Sequence, residues 1–488
     1  MRKRWLIPFL CAVILLHIVG CAPWVDQLDR SDEKNAAFFR EHTLYKDEDF
    51  NVDTFTNYID KLYDEANATF HMPEDPMMEN IEMAFVHLSD VQIRDERVKL
   101  FGKNVSRTFD NIIHSFEHSI DQEHYDYAAY LAIIKTINAL LDDTSIDTVR
   151  KPKFMIHTGD AVDASVVEEL YEFVYISNKL AIPWYNVLGN HDVTVFGNFN
   201  NKKVYVNDPN LTFQTLHNKY NFINMHADGY LIDPNINPGP APTEPSIKLA
   251  KSRYHGFDLF NINKNQEYDA FGTYLCKDCP GYYSFKLRKV DKNYEFVSPS
   301  EKNPPPNPKE IVFIVLNTTT TQLGFAKGTV DKDQLRWLEN EQLKKNNGKL
   351  IFVFGHHPLD GPNFLDNSYE KLIELFHQYH VTAYFCGHTH THQIRLHEKN
   401  GTKQGFWEVI TDSILEYPQE GSLVTIRKLD NGTGAIDVQS FRRNITNDCQ
   451  LKQESDRAFK GAETDHPREL SEQDRNARLT FNHPYFSN

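Results

Sequence analysis

The sequence predicts an α/β protein, and three observations carry that prediction. Residues 350–354, Leu-Ile-Phe-Val-Phe, form a short run of β-branched and aromatic side chains halted by Gly355, the pattern of a buried strand ending at a loop. Residues 381–386, Val-Thr-Ala-Tyr-Phe-Cys, repeat it before Gly387. Between them, 368–380 places Leu372, Ile373, Leu375 and Phe376 on one helical stripe, so the unit reads strand, helix, strand and implies parallel pairing.

From the start of the chain, Arg2-Lys-Arg4 precede an apolar stretch reaching Val19 that is too short for a spanning helix. Residues 1–20 therefore read as a secretory signal. Its end, Ile18-Val-Gly-Cys21, resembles the bacterial lipobox. That resemblance implies cleavage before Cys21 and lipidation of this cysteine, with a simple signal peptide or an uncleaved anchor as alternatives. The expected location is a bacterial cell envelope, lipid-anchored to a membrane and facing the periplasm or the surface. Residues 21–80 are polar and acidic and read as a tether with an N-terminal extension.

The 488 residues carry a formal charge of −16, and processing would leave 49 basic against 68 acidic residues, or −19. Such a surface repels a polyanion, so duplex nucleic acid is excluded as a general partner. Small phosphate esters remain, because metal ions can supply the positive charge. Aromatic residues at 12% exclude a disordered chain. Beyond the leader, Cys276-Lys-Asp-Cys279 offers two sulfur ligands where a structural zinc needs four, so a disulfide in an export compartment is expected. Cys386, inside an apolar strand, reads as an inert buried thiol.

The strands that follow each end in polar groups. Met83 to Leu88 leads into Ser89-Asp90-Val-Gln92, Phe154 to His157 into Thr158-Gly-Asp160, and Trp184 to Leu188 into Gly189-Asn-His-Asp192. Helical spacing over 106–120, 125–141 and 166–180 separates them. The runs 350–354 and 381–386 deliver Gly355-His-His357 and Gly387-His-Thr-His390. Ligands in α/β sheets bind at the carboxyl ends of strands, which is where these side chains fall. Asp90, Gln92, Asp160, Asn190, His356, His388 and His390 are mixed oxygen and nitrogen donors that suit divalent Mn, Fe or Zn. Seven donors exceed the need of one tetrahedral ion and suit two ions, which can activate water and clamp a phosphoryl group.

The order DxQ, GD, GNHD, GHH, GHTH across residues 90–390 resembles the calcineurin-like metallophosphoesterase superfamily. The resemblance implies a four-layer α/β/β/α sandwich of two mixed sheets. It places Asp90, Gln92, Asp160 and His390 around one ion, with Asp160 bridging to a second that also takes Asn190, His356 and His388. His191 corresponds to a non-ligand histidine that protonates the leaving oxygen or steadies the charged transition state, and Asp192 either orients it or caps the next turn. Two departures matter: Gln92 stands where the family usually has histidine, and Asp163 stands where purple acid phosphatases carry a ligating tyrosine. The neutral glutamine oxygen tilts preference toward Mn or Mg. The DxQ block is similar to a branch acting on nucleoside diphosphate compounds with manganese.

The expected domain covers 81–447, with 197–310, rich in Asn, Pro and Gly, inserted over the active-site face. The runs 405–410, 422–427 and 435–441 alternate like antiparallel strands completing the second sheet, and 448–488 reads as a peripheral helix and tail. The expected function is hydrolysis of a phosphodiester or pyrophosphate by a hydroxide generated at the two metals. The alternatives are a phosphomonoesterase and a non-catalytic envelope scaffold. The oligomeric state is not legible.

Overall fold

The computed structural model describes residues 52–486 apart from 73–79, 95–98, 101–102, 105–124, 164–166, 194–273, 276–281, 298–304, 307, 320–325, 400 and 466–470. The signal, Cys21, the helix expected over 106–120 and the Cys276–Cys279 pair lie outside the described residues. Two mixed sheets face each other. In one, the order is β14 (Asn476–Phe481), β13 (Gly434–Arg442), β12 (Glu420–Lys428), β1 (Ile81–Leu88), β2 (Pro152–His157), β3 (Trp184–Asn186). In the other it is β10 (Gln393–Lys399), β11 (Thr402–Ile410), β9 (Ala383–Cys386), β8 (Leu350–Phe354), β7 (Glu310–Val315), β5 (Tyr283–Val290), β4 (Tyr274–Leu275), with β6 (Asn293–Phe296) on β5.

Strand alternation decides what each side chain meets. In β8, Leu350, Phe352 and Phe354 turn toward the opposite sheet, whereas Ile351 and Val353 turn outward. The inner face is an aromatic seam: Phe85 stacks on Phe154 at 5.1 Å and meets Phe385 edge-on at 5.4 Å, while Phe154 meets Phe313 at 5.0 Å. The outward residues pack under helices α4 (Lys332–Trp337), continued by a π-helical turn at Leu338–Leu343, and α5 (Ser368–Gln378), through Trp337, Leu372, Leu375 and Phe376. Asp331 starts α4 by accepting from the amides of Asp333 and Gln334. Over the first sheet lie α1 (Val52–Glu65), α2 (Asp126–Asp142), α3 (Val167–Ser177) and α6 (Gln450–Asp465). The result is the expected α/β sandwich.

Three expectations need correction. The C-terminal strands do not all complete the second sheet: β11 lies parallel to β9 there, but β12 and β13 join β1 in the first. The chain crosses between sheets at 411–419, where Ile414 and Leu415 amides donate to the carbonyls of Ser89 and Asp90. Residues 283–296, counted within the insertion, are strands whose Tyr283, Phe285 and Leu287 are fully buried. Their polar outward residues hid the alternation. The termini are not peripheral either. Ile59 and Leu62 of α1 join the core, and Glu454 of α6 accepts from Tyr58 of α1 and from Tyr127 of α2. β14 forms an edge strand whose Arg478 pairs with Asp437 at 2.6 Å.

Candidate metal centre

The loops after β1, β2, β3, β8 and β9 gather at one edge of the sandwich and are laced by backbone hydrogen bonds. Asp90 and Gln92 amides donate to the carbonyls of Gly159 and Asp160 at 3.0 and 2.9 Å, and the Gly387 amide donates to His356 at 3.1 Å. Five of the seven expected ligands sit at positive φ: Asp90 (50°), Gln92 (45°), Asp160 (55°), His388 (71°) and His390 (51°). Non-glycine residues seldom hold this conformation, and clusters of such strain mark functional sites. The motif glycines supply close approach: a Cβ on Gly189 would collide with the Asp160 carboxylate, and one on Gly387 with Ser89 and Asp90.

Ring orientation shows whether a cation fits. His356 Nδ1 lies 2.8 Å from the Thr158 carbonyl, which only accepts, so Nδ1 carries a proton and Nε2 is the atom turned to the site. That Nε2 is 3.0 Å from Asn190 Oδ1 and 3.3 Å from Asp160 Oδ2. His390 is built alike: Nδ1 is 2.8 Å from Glu416, and Nε2 is 3.2 Å from Asp90 Oδ1. In both places a buried ring nitrogen faces carboxylate oxygens, which against burial raise His356 to about 9 and His390 well above the ordinary histidine value; a divalent cation could take the place of the proton held there. The ligating atoms of Asp90, Asp160 and His356 lie within 4.8 Å of one another. Gln92 stands beside them, its side-chain NH2 donating to Asp160 Oδ2 at 3.4 Å, and the His388 ring is 5.1 Å from that of His356. The residues present therefore fit a pair of divalent ions.

Charge follows the same geometry. Burial opposes ionisation of Asp90, but His390 beside it outweighs burial and holds the carboxyl down at about 2. Asp160, against burial, is held well below the usual carboxylate range by His356 and His191. Burial and the charge of His356 lower His388 to about 3, keeping its imidazole neutral and able to ligate.

His191 stands at the rim with a side chain 20% exposed, its amide on Asp160 Oδ1 at 2.8 Å. Its Nδ1 is 2.9 Å from the Asp163 carbonyl and 3.2 Å from the Asp163 carboxylate, which also meets Arg94 at 3.3 Å. Burial works against the imidazolium, yet Asp160 and Asp163 raise His191 to about 10. The orienting partner on Nδ1 is thus Asp163. The Asp192 carboxylate instead accepts from the amides of Asp160, Ala161, Val162 and Gly189. Burial and then Asp160 push Asp192 up to about 8, against those four donors. Sequence reasoning missed Glu416, which lies in an irregular loop with no pattern of its own, and gave Asp163 no role, although its spacing of three from Asp160 was a usable signal.

A two-sheet sandwich with histidine, carboxylate and amide donors converging at its strand ends defines a metallophosphoesterase. Residues 83–392 match the model of the calcineurin-like phosphoesterase domain, and the chain belongs to that family. That family uses a dinuclear divalent metal centre for phosphoester hydrolysis, and residues that could hold such a centre are gathered here. No curated protein matches the chain. Among solved structures it is similar to a purple acid phosphatase from yellow lupin (Lupinus luteus) seeds, at 12% identity and a TM-score of 0.38, covering 83% of this chain and 55% of that one. It thus spans about half the length of that phosphatase. GAP50 of Plasmodium, described as the anchor in the inner membrane complex, gives 11% identity and a TM-score of 0.36 over 80% of this chain and 97% of its own. A 5'-nucleotidase from Candida albicans gives 9% and 0.34 over 84% and 56%.

Proposed function

We propose that the substrate bond is a phosphodiester or pyrophosphate in a small molecule, and that manganese is the working metal. The observation that carries this reading is Gln92, which stands beside Asp160 in the place of a histidine and donates its side-chain NH2 to Asp160 Oδ2 at 3.4 Å; turned over, the amide would offer a neutral oxygen, which supports a hard divalent ion. Two ions held by Asp90, Gln92, Asp160, Asn190, His356, His388 and His390 would lower the pKa of a water molecule and neutralise phosphate charge. The protein's own groups do the rest. The Thr158 carbonyl and Glu416 fix the rings of His356 and His390, so the site is organised before substrate arrives. His191, held at Nδ1 by Asp163, keeps Nε2 free to give a proton to the leaving oxygen. Asp192 ties the loops after β2 and β3 together, which keeps His191 in register with Asp160.

The test is manganese-dependent hydrolysis of a nitrophenyl phosphodiester and the corresponding monoester, with His191→Ala as control. Diester turnover that falls about 10²- to 10⁴-fold in the variant supports the proposal. Turnover confined to the monoester would make the protein a phosphomonoesterase instead.

A further inference from the structure

Two adjacent histidines follow β8, and both lie near His388: the ligating nitrogens of His356, His357 and His388 fall within 4.8 Å of one another. Proximity alone does not say which of the pair binds metal. We propose that Thr318 makes that choice, as a positioning residue that presents His356 to the metal and withholds His357; this rests on the dinuclear reading of the site.

Thr318 is three residues beyond Val315, the end of β7, and is fully buried. Its backbone is rigid. The side chain of Gln334 on α4 both donates to the Asn317 carbonyl and accepts from the Asn317 amide, each at 2.8 Å, and the Thr329 amide donates to the Thr318 carbonyl at 2.9 Å. From this platform the hydroxyl reaches the start of the histidine loop. The amides of His356 and His357 both donate to Oγ1 at 3.3 Å, and Oγ1 lies 2.7 Å from His357 Nδ1.

A hydroxyl has two lone pairs and one proton. The two amides occupy the lone pairs, so the proton must go to His357 Nδ1, which is therefore an acceptor. The ring then carries its own hydrogen on Nε2. A nitrogen bearing hydrogen has no lone pair for a metal, and Nδ1 is already spent on Thr318. His357 is thereby excluded as a ligand despite its place in the triangle. Its ring, 4.6 Å from that of His388 and 6.2 Å from Phe364, packs as a wedge behind the ligand. His356 differs: its Nδ1 proton is on the Thr158 carbonyl, and its Nε2 is turned to Asn190 and Asp160, where a metal would take it. Thr318 thus sets the ring of His357 and holds the His356 backbone in place, while the Thr158 carbonyl orients the ring of His356.

The measurement is metal content and affinity in the full-length protein, read by manganese titration against a chelator and independent of turnover. Thr318→Val keeps the shape and removes the hydroxyl. It should weaken one of the two manganese ions by about 10- to 100-fold, the range for loss of a group that orients a ligand. Thr318→Ser should restore the affinity, which a packing defect would not allow. His357→Ala should retain two ions and His356→Ala only one. A nitrogen-resolved NMR spectrum of the zinc-loaded protein should show the Nε2–H form at His357, which decides the matter if a variant fails to fold. Unchanged affinity in Thr318→Val, a lost ion in His357→Ala, or an Nδ1–H ring at His357 would each overturn the proposal. Hydrolysis could fail with all these results intact, so the two readings stand or fall separately.

Discussion

At the scale of the residue, the site separates groups that touch metal from groups that aim them. Asp163 is of the second kind. It contacts both Nδ1 of His191 and Arg94, so it fixes the tautomer and stabilises the positive ring that donates the proton. Asp163→Asn keeps the shape and loses the charge, and kcat should fall about 10- to 100-fold with little change in KM or metal content. Steady-state kinetics with a poor leaving group are the sensitive measure, because there the proton matters most. An equal loss with an excellent leaving group would refute the role. The seven donors were legible because each follows a strand, and all but Asp90 and Gln92 sit in a motif whose glycine has a steric reason. Glu416 was not, because it reaches His390 from a loop that the sequence marks with nothing. For Asp192 the sequence left two roles open, and the backbone amides around it belong to a tertiary approach no local pattern encodes.

Elements meet at this site with little slack. The loop after β9 presses on the loop after β1 from the opposite sheet, and Gly387 is the point of contact: a Cβ there would collide with Ser89 Oγ and Asp90 Oδ2. Gly387→Ala should therefore push the two sheets' loops apart at the metal edge. We expect at least a tenfold loss of manganese affinity and about 1–3 kcal/mol of destabilisation, as for overpacking elsewhere, read by metal retention on dialysis and by thermal unfolding. Retention of both at parental levels would show that the loops yield. This contact explains what sequence reasoning found at the level of elements and what it missed. Strands with continuous apolar runs, such as β7 and β8, are buried on both faces and were plain. β5 presents Lys286 and Arg288 outward between Phe285 and Leu287, and Arg288 pairs with Glu310 of β7 at 2.8 Å. β12 and β13 were recognised as strands, but their sheet is chosen by the 411–419 crossing, and alternation carries no information about which neighbour a strand will find.

Across the whole molecule, the C-terminal segment closes the sandwich at the end away from the metals. After β14 the chain turns inward, burying Phe486 and bringing Tyr485 against Tyr294, which donates to Glu82 of β1 at 2.8 Å. His483 is enclosed in this closure at 6% exposure, and its Nδ1 accepts from the Tyr485 amide at 3.1 Å, so the fold requires the neutral ring. Burial, reinforced by His380 and partly opposed by the Lys349 backbone, lowers its pKa to about 4. The unfolded chain, with an ordinary value near 6.5, takes up a proton that the folded chain refuses. The stability tied to this histidine is accordingly complete above about pH 6.5 and is lost as pH falls through the window down to about 4. A difference of that size corresponds to roughly 3 kcal/mol. Protons also compete with metal in this range, so the informative quantity is a difference between two proteins. His483→Gln keeps an acceptor but cannot titrate, and it should be less stable than the parent at pH 7 yet overtake it near pH 4. Urea unfolding of both at several pH values measures the gap; a gap that does not change with pH would mean that the closure tolerates a charged ring.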